Sequence, residues 1–437
     1  MFSKILVANR GEIAIRIIRS CKEMGISTVS VYSEADKDSL HVALADQCLC
    51  IGSAAPSDSY LNAERIVSAA LAVGAQAIHP GYGFLSESAL LAELCEKHRV
   101  AFIGPSSETI SKIGDKDAAR RLMADAGVPV IPGSSIFYDI ESAANIAGEI
   151  GYPLMIKARA GGGGRGIRLV SSPEEFENAF LTAAHEAREA FGDGALYIEK
   201  QIHPAKHVEV QLLADETGKT ICLAERECSI QRNNQKLLEE CPSPAVDDIL
   251  REKLCEAAKK AAKAVGYVNA GTVEFLLDMD KNFYFMEMNV RLQVEHAVTE
   301  QVTGIDLVKW QIRIAAGVPL DFEQENVIIA GNSIECRINA STIGTVEFLH
   351  VPGGPRVRFD SALWMGYTVP PYYDSLLGKL IVHAATREEA IRKMHAALCE
   401  LVIDGVPNNI DEQIDFISDE SFRRGEYYTD FVLKRGE

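Results

Sequence analysis

From the N-terminus to Ile103 the chain alternates short apolar runs with amphipathic ones, and this rhythm restricts it to a parallel sheet covered on both faces. Lys4 to Ala8, Thr28 to Tyr32, Leu49 to Ile51, Ala75 to His79 and Ala101 to Ile103 read as strands. Ile13, Ile17 and Cys21 recur at helical spacing after the first of them. Parallel strands need right-handed crossovers, and sites in such sheets form beyond the carboxyl ends of the strands. Those ends carry Asn9-Arg10-Gly11-Glu12, His79-Pro80-Gly81-Tyr82-Gly83 and Gly104-Pro105.

At 437 residues the chain is too long for one hydrophobic core. The texture changes near Asp115, where a helix, Lys116 to Ala126, ends at Gly127 before Pro129 and Pro132. A small module, 133 to about 201, follows with strands at 154–158, 167–170 and 196–200. Next comes a strand-rich stretch, 208–213, 220–226 and 271–288, interrupted by a helix at 249–265. The acidic run Asp321 to Glu325 reads as a linker, and the remainder from Ser333 as strands followed by two helices. The expected organisation is an N-terminal α/β domain (1–114), a central domain (115–320) that includes the small module at about 133–201, and a C-terminal mixed α+β domain (321–437). A net charge of −18 argues against nucleic-acid binding, so any anion site must be a local cluster of cations. The ten cysteines contain no C-x-x-C pair and read as reduced core thiols. Asn9, Arg10 and Glu12 interrupt the N-terminal apolar stretch, which is too short for a signal peptide or a membrane span, so a cytoplasmic location is expected.

Gly161, Gly163 and Gly166 match G-x-G-x-x-G, but a dinucleotide fingerprint needs a following helix, and Ile167 to Val170 is strand-like. Strand, glycine loop, strand describes a hairpin flap able to close its amides over phosphates, with Lys157 just before it; a flexible surface hairpin is the plainer alternative. In Gly271-Thr-Val-Glu274-Phe-Leu-Leu277 a carboxylate interrupts an apolar strand, and Phe283-Tyr-Phe-Met-Glu287-Met-Asn289 returns after a turn. A hairpin would set Glu274 near Glu287 and Asn289. Two such carboxylates repel unless a hard cation such as Mg²⁺ sits between them, or unless they are salt-bridged at the surface. In Arg291-Leu-Gln293-Val-Glu295-His296 an extended backbone would align Arg291, Gln293 and Glu295 on one face, a set that can hold a planar oxyanion and take its proton. Simple loop packing would use the same residues. Lys236 and Arg337 add positive charge or are ordinary surface cations, and His207 and Glu209 also read as satisfied, half-buried residues at the start of a strand.

These residues sit in a longer run of motifs: NRGEIA (9–14), HPGYGFLSE (79–87), FIGP (102–105), GGGGRG (161–166), AGTVEF (270–275), FYFMEMN (283–289), RLQVEH (291–296), ECRINA (335–340) and PPYYDSLLGKL (370–380). In this order, and from Met1 almost to the end, the chain resembles biotin carboxylase, the ATP-grasp component of acetyl-CoA carboxylase and related enzymes. The resemblance implies a Rossmann-like N-terminal domain, an ATP-grasp domain with a mobile lid, and a C-terminal domain completing the site. It implies a nucleotide pocket lined by Lys116, Lys157, Gly161, Gly162, Gly163, Gly164, Gly166, Glu199, Lys200, Ile202, His207, Gln231, Leu276 and Ile403. Glu274, Glu287 and Asn289 would hold Mg²⁺ or Mn²⁺; Arg291, Gln293 and Val294 would hold bicarbonate, with Tyr82 in the bicarbonate and biotin pocket. Glu295 would deprotonate bicarbonate, Lys236 would neutralise developing charge, and Arg337 would stabilise the enolate-like oxygen of biotin.

No Met-Lys-Met attachment site is present, so biotin is expected on a separate carrier protein, with carboxyltransferase subunits and a homodimer as the family pattern. The expected activity is the first half-reaction of acetyl-CoA carboxylase, in fatty acid synthesis; propionyl-CoA or pyruvate carboxylase is the alternative setting. Three positions depart from the pattern: Asn234 stands where some members have histidine, Arg159-Ala160 precedes the glycines, and the loop after Ala340 is short. A different ATP-grasp ligase would not need the Arg291 to Glu295 set, and a non-catalytic nucleotide-binding subunit would not need Glu274, Glu287, Arg291 and Glu295. A third reading, a piece of a larger carboxylase, turns on whether the reading frame continues past Glu437.

Overall fold

The structure, a computed structural model, describes residues 1–134, 136–159 and 167–435. Strands β1 (Lys4–Val7), β2 (Ser27–Ser33), β3 (Gln47–Gly52), β4 (Ala77–His79) and β5 (Ala101–Phe102) form a five-stranded sheet in the order β3-β2-β1-β4-β5. All its pairings are parallel, as the alternating pattern predicts. Ile5, Leu6 and Val7 are all fully buried because both faces of the central strand are covered. The helix Gly11–Glu23 lays Ile13, Ile17 and Cys21 against this sheet, and its first turn carries Glu12.

The central module contains β6 (Leu154–Ala158), β7 (Ile167–Val170) and β8 (Leu196–Lys200), ordered β7-β6-β8 and covered by the helices Ile140–Ile150 and Pro173–Phe191. β6 and β7 pair antiparallel, Lys157 opposite Ile167, so the expected hairpin exists. Its connection, with Ala160, Gly161, Gly162, Gly163, Gly164 and Gly166, lies outside the described residues.

The body of the molecule is one eight-stranded sheet. Its strands are β9 (Lys206–Ala214), β10 (Thr220–Arg232), β11 (Gln235–Cys241), β12 (Asn269–Leu277), β13 (Phe283–Asn289), β14 (Asn332–Asn339), β16 (Val357–Ser361) and β17 (Leu376–Ala384); β15 (Phe348–His350) pairs separately with β18 (Val402–Asp404). The order β13-β12-β9-β10-β11-β14-β17-β16 carries the sheet without a break across the segment read as a linker. That segment is tied down: Cys222 N–H donates to Gln324 Oε1 at 3.0 Å, Gln324 Nε2 donates back to the Cys222 carbonyl at 2.9 Å, and Phe322 packs edge-on against Trp310. β11 is a strand that periodicity does not predict, because its Lys236, Glu239 and Glu240 find partners inside the protein. The C-terminal region holds four helices among the described residues, not two: Arg387–Glu400, Ile410–Ser418, Glu420–Arg424 and Phe431–Arg435. Asp419 caps the third and Gly425, at φ +74°, ends it.

The cysteine expectation is corrected at one pair. Cys222 on β10 and Cys255 on the helix Asp248–Val265 form a disulfide, with Cα atoms 5.9 Å apart. Of the others, Cys48, Cys50 and Cys399 are exposed rather than core. Among the described residues no helix is long and apolar enough to cross a membrane.

Candidate active site

Cross-strand register sets one row of charges across four adjacent strands. Arg226 on β10 faces Glu209 on β9, Glu209 faces Glu274 on β12, and Glu274 faces Glu287 on β13. Three carboxylates side by side repel, so the row exists only because cations enter it. Arg226 is fully buried and directs its donors to Glu209 (2.5 Å), Gln211 (2.8 Å), Thr299 (2.9 Å) and Thr272 (3.1 Å). Lys236 reaches in from β11 to Glu209 (2.6 Å), Glu274 (3.0 Å) and Glu295 (2.6 Å). Arg337 on β14 completes the group, 2.9 Å from Glu295 and 2.5 Å from Glu239.

The charge states follow from this geometry. Burial alone would push the Glu295 carboxyl up, but Lys236, Arg337 and Arg226 overcome it and hold that carboxyl well below the usual range. Burial likewise opposes the Lys236 ammonium, and Glu209, Glu274 and Glu295 reverse that and keep it charged. Glu274 is held low against burial by Lys236 and His207. Glu239 goes the other way: burial, only partly offset by Arg337, pushes its carboxyl up to about 7. Glu335, directly opposite Glu239, is raised well above the ordinary value by burial, and neither of its oxygens has a hydrogen-bond partner among the described residues.

The segment after β13 is not the extended strand the sequence suggests. It bends at Val290 and Arg291 and turns at Val294 and Glu295, where Glu295 becomes the N-cap of the helix His296–Thr303. The three residues are linked in sequence instead, Arg291 to Gln293, Gln293 to Glu274, and Glu274 through Lys236 to Glu295. Arg291 donates to Gln293 Oε1 (2.9 Å) and Asn289 Oδ1 (3.1 Å) and pairs with Glu87 of the first sheet's loops (3.2 Å); Gln293 donates to Glu274 (2.8 Å). The Val294 carbonyl accepts from Lys379 at 2.7 Å.

Glu274 also accepts from Asn289 at 2.8 Å. Glu287, on the open side of the row, is 42% exposed in its side chain and has one ion pair among the described residues, Lys116 at 3.7 Å. His207 receives a bond from Gln231 at Nδ1 (2.7 Å) and turns Nε2 toward Glu274 at 3.0 Å. Leu276 lies opposite His207, on the same face as Glu274. Lys157 pairs with Glu199 on the small sheet, and Lys200 donates to the Gly151 and Tyr152 carbonyls, so these groups stand apart from the charged row; Ile202 sits half-buried in the connection to β9. Tyr82 donates to Glu12. Ile403 does not join the site: it packs on β18 within the C-terminal core beside Leu398 and Val406. Asn234 occupies the β10–β11 hairpin turn with Asn233, at φ +62° and +51°, a left-handed pair that asparagine adopts readily.

Glu209, Arg226, Glu239, Glu335 and Lys379 escape a reading of the sequence as site residues. Their one signal is a charge in the middle of an apolar strand, the same signal that exposes Glu274.

Family models match the whole length in order: the biotin carboxylase N-terminal domain over residues 1–110, the carbamoyl-phosphate synthase L chain ATP-binding domain over 115–323, and the biotin carboxylase C-terminal domain over 335–434. Biotin carboxylase 1 of Bacillus subtilis (strain 168) is 54% identical over 442 residues, covering 99% of this chain and 98% of that protein. A pyruvate carboxylase component of Methanothermobacter thermautotrophicus is 52% identical over 441 residues, covering 99% of this chain and 90% of that protein. Among solved structures, the biotin carboxylase domain dimer of Hydrogenobacter thermophilus 2-oxoglutarate carboxylase, in complex with MgADP, ADP and bicarbonate, superposes with a TM-score of 0.94 at 50% identity, covering 100% of this chain and 98% of that one.

Proposed function

This chain belongs to the biotin carboxylase family, and from that premise we propose that it uses ATP to activate bicarbonate and carboxylates biotin carried on a separate protein. The observation that carries the reading is Glu295: a carboxylate with no exposed side-chain surface, ionised, and gripped by Lys236 on one side and Arg337 on the other. A group in that state can accept the bicarbonate proton while Arg291, Gln293 and the main chain at Val294 hold the anion beside it. When Lys236 turns from Glu295 toward the phosphates, Glu295 loses its nearest cation and becomes a stronger base. Deprotonation is thereby coupled to nucleotide binding. Bicarbonate oxygen then attacks the γ-phosphate, ADP leaves, and carboxyphosphate breaks down to CO₂ and phosphate. Phosphate takes the ureido proton of biotin, and Arg337 neutralises the resulting oxyanion.

Glu274, Glu287 and the Asn289 amide oxygen fit Mg²⁺: all are oxygen donors, two face each other across β12 and β13, and the exposed Glu287 leaves the row open on the side where phosphates would arrive. Held by these residues, the ion would neutralise charge on the phosphates. Lys116, Lys157, Glu199, Lys200, Ile202, His207, Gln231 and Leu276 are proposed for the nucleotide, together with Gly161, Gly162, Gly163, Gly164 and Gly166. The partners are a biotin carrier and carboxyltransferase subunits, the working unit is a homodimer in the cytoplasm, and the final acceptor is acetyl-CoA. Propionyl-CoA or pyruvate is the alternative acceptor, and a pyruvate carboxylase component is 52% identical to this chain.

The test is ADP release from Mg-ATP with and without bicarbonate and free biotin. It should require bicarbonate, rise with biotin, and fall at least ~100-fold in Glu295→Ala while ATP binding persists. Turnover indifferent to both bicarbonate and biotin would return the chain to another ATP-grasp ligase chemistry.

A further inference from the structure

Arg337 on β14 lies directly opposite Lys379 on β17, and Lys379 directly opposite Asp360 on β16. Two cations side by side in a buried sheet repel, and a structural role alone would be served as well by an apolar pair. Each instead holds one of two consecutive residues. Arg337 binds the Glu295 carboxylate at 2.9 Å, and Lys379 donates to the Val294 carbonyl at 2.7 Å. That carbonyl belongs to the peptide joining Val294 to Glu295, so Lys379 orients the main chain of the residue whose side chain Arg337 orients.

Lys379 is itself fixed from the far side. Its side chain has no exposed surface, and its ammonium lies 3.0 Å from Glu12, in the first turn of the helix Gly11–Glu23. Tyr82 donates to the same Glu12 oxygen, and its ring lies 5.9 Å from the ammonium. The first N-terminal helix, the Val294–Glu295 turn and the C-terminal strands therefore converge on one nitrogen. We propose that Lys379, anchored by Glu12, is a positioning residue that holds the Val294–Glu295 peptide in register with bound bicarbonate. This rests on the carboxylase reading and adds to it a residue that acts through the main chain.

A residue acting through that peptide affects bicarbonate far more than ATP, whereas a loss of general packing moves both. The experiment is initial-rate kinetics of biotin carboxylation by the full chain, varying bicarbonate and ATP separately, with circular dichroism as the check on folding. Lys379→Met should lower kcat/KM for bicarbonate ~100-fold while the KM for ATP stays within about twofold, because a small misplacement of a reacting group costs on that order. Glu12→Gln keeps the shape and removes only the anchoring charge, and should show the same split at ~10-fold; it decides the matter if Lys379→Met fails to fold. Equal losses toward bicarbonate and ATP, or no loss, would overturn the positioning role. Wild-type turnover without bicarbonate dependence would overturn the carboxylase reading, before any variant is compared.

Discussion

The charged cluster contains a residue that titrates where enzymes work. Glu239 is lifted to about 7 by burial and shares Arg337 with Glu295, so its ionisation decides how Arg337 divides its charge. Biotin carboxylation by the wild type should gain through an inflection near pH 7 that Glu239→Gln removes, as read from the pH profile of kcat/KM. The sign for stability is opposite. A carboxyl raised in the folded state contributes most below its unfolded value and loses that contribution as pH rises through about 7. The Tm of Glu239→Gln, taken relative to wild type at the same pH, should therefore be more favourable at pH 8 than at pH 5. Glu274, Glu287, Glu295 and Arg337 were legible in the sequence through their motifs. Glu209, Glu239 and Lys379 were not, because a lone charge in a strand looks the same whether it faces water or a buried partner, and only cross-strand register tells them apart.

At the scale of elements, the β12–β13 hairpin does the most for the site, since its register brings Glu274 and Glu287 face to face. Glu287→Gln keeps the hairpin and its side-chain shape but removes one of the two hard anions. It should raise the Mg²⁺ concentration for half-maximal activity ~10-fold or more, with little change in Tm, as measured by metal titration of ADP release. This hairpin was visible as two apolar runs around a turn. Two neighbouring elements were not. β11 is hidden by charges that are satisfied internally, and the bend at 290–295 is hidden because Glu295 begins the next helix without a side-chain capping bond, leaving no N-cap signature to read.

The whole molecule joins three sequence regions in one machine. The parallel N-terminal sheet followed from strand and helix alternation alone, whereas the eight-stranded sheet did not, because the pairing of Glu239 with Glu335 unites segments far apart in the chain that no local pattern connects. That pairing places Arg337 beside Glu295, and Lys379 ties both to the helix Gly11–Glu23. The proposed chemistry stands or falls on Glu295 preparing bicarbonate to attack the γ-phosphate of ATP. Running the reaction with ¹⁸O-labelled bicarbonate and biotin, and weighing the inorganic phosphate by mass spectrometry, follows the attacking oxygen itself. One labelled oxygen should pass to phosphate for each ADP formed, in step with carboxylated biotin. Phosphate free of label would mean that water or another nucleophile, not bicarbonate, receives the phosphoryl group, and the mechanism would be wrong.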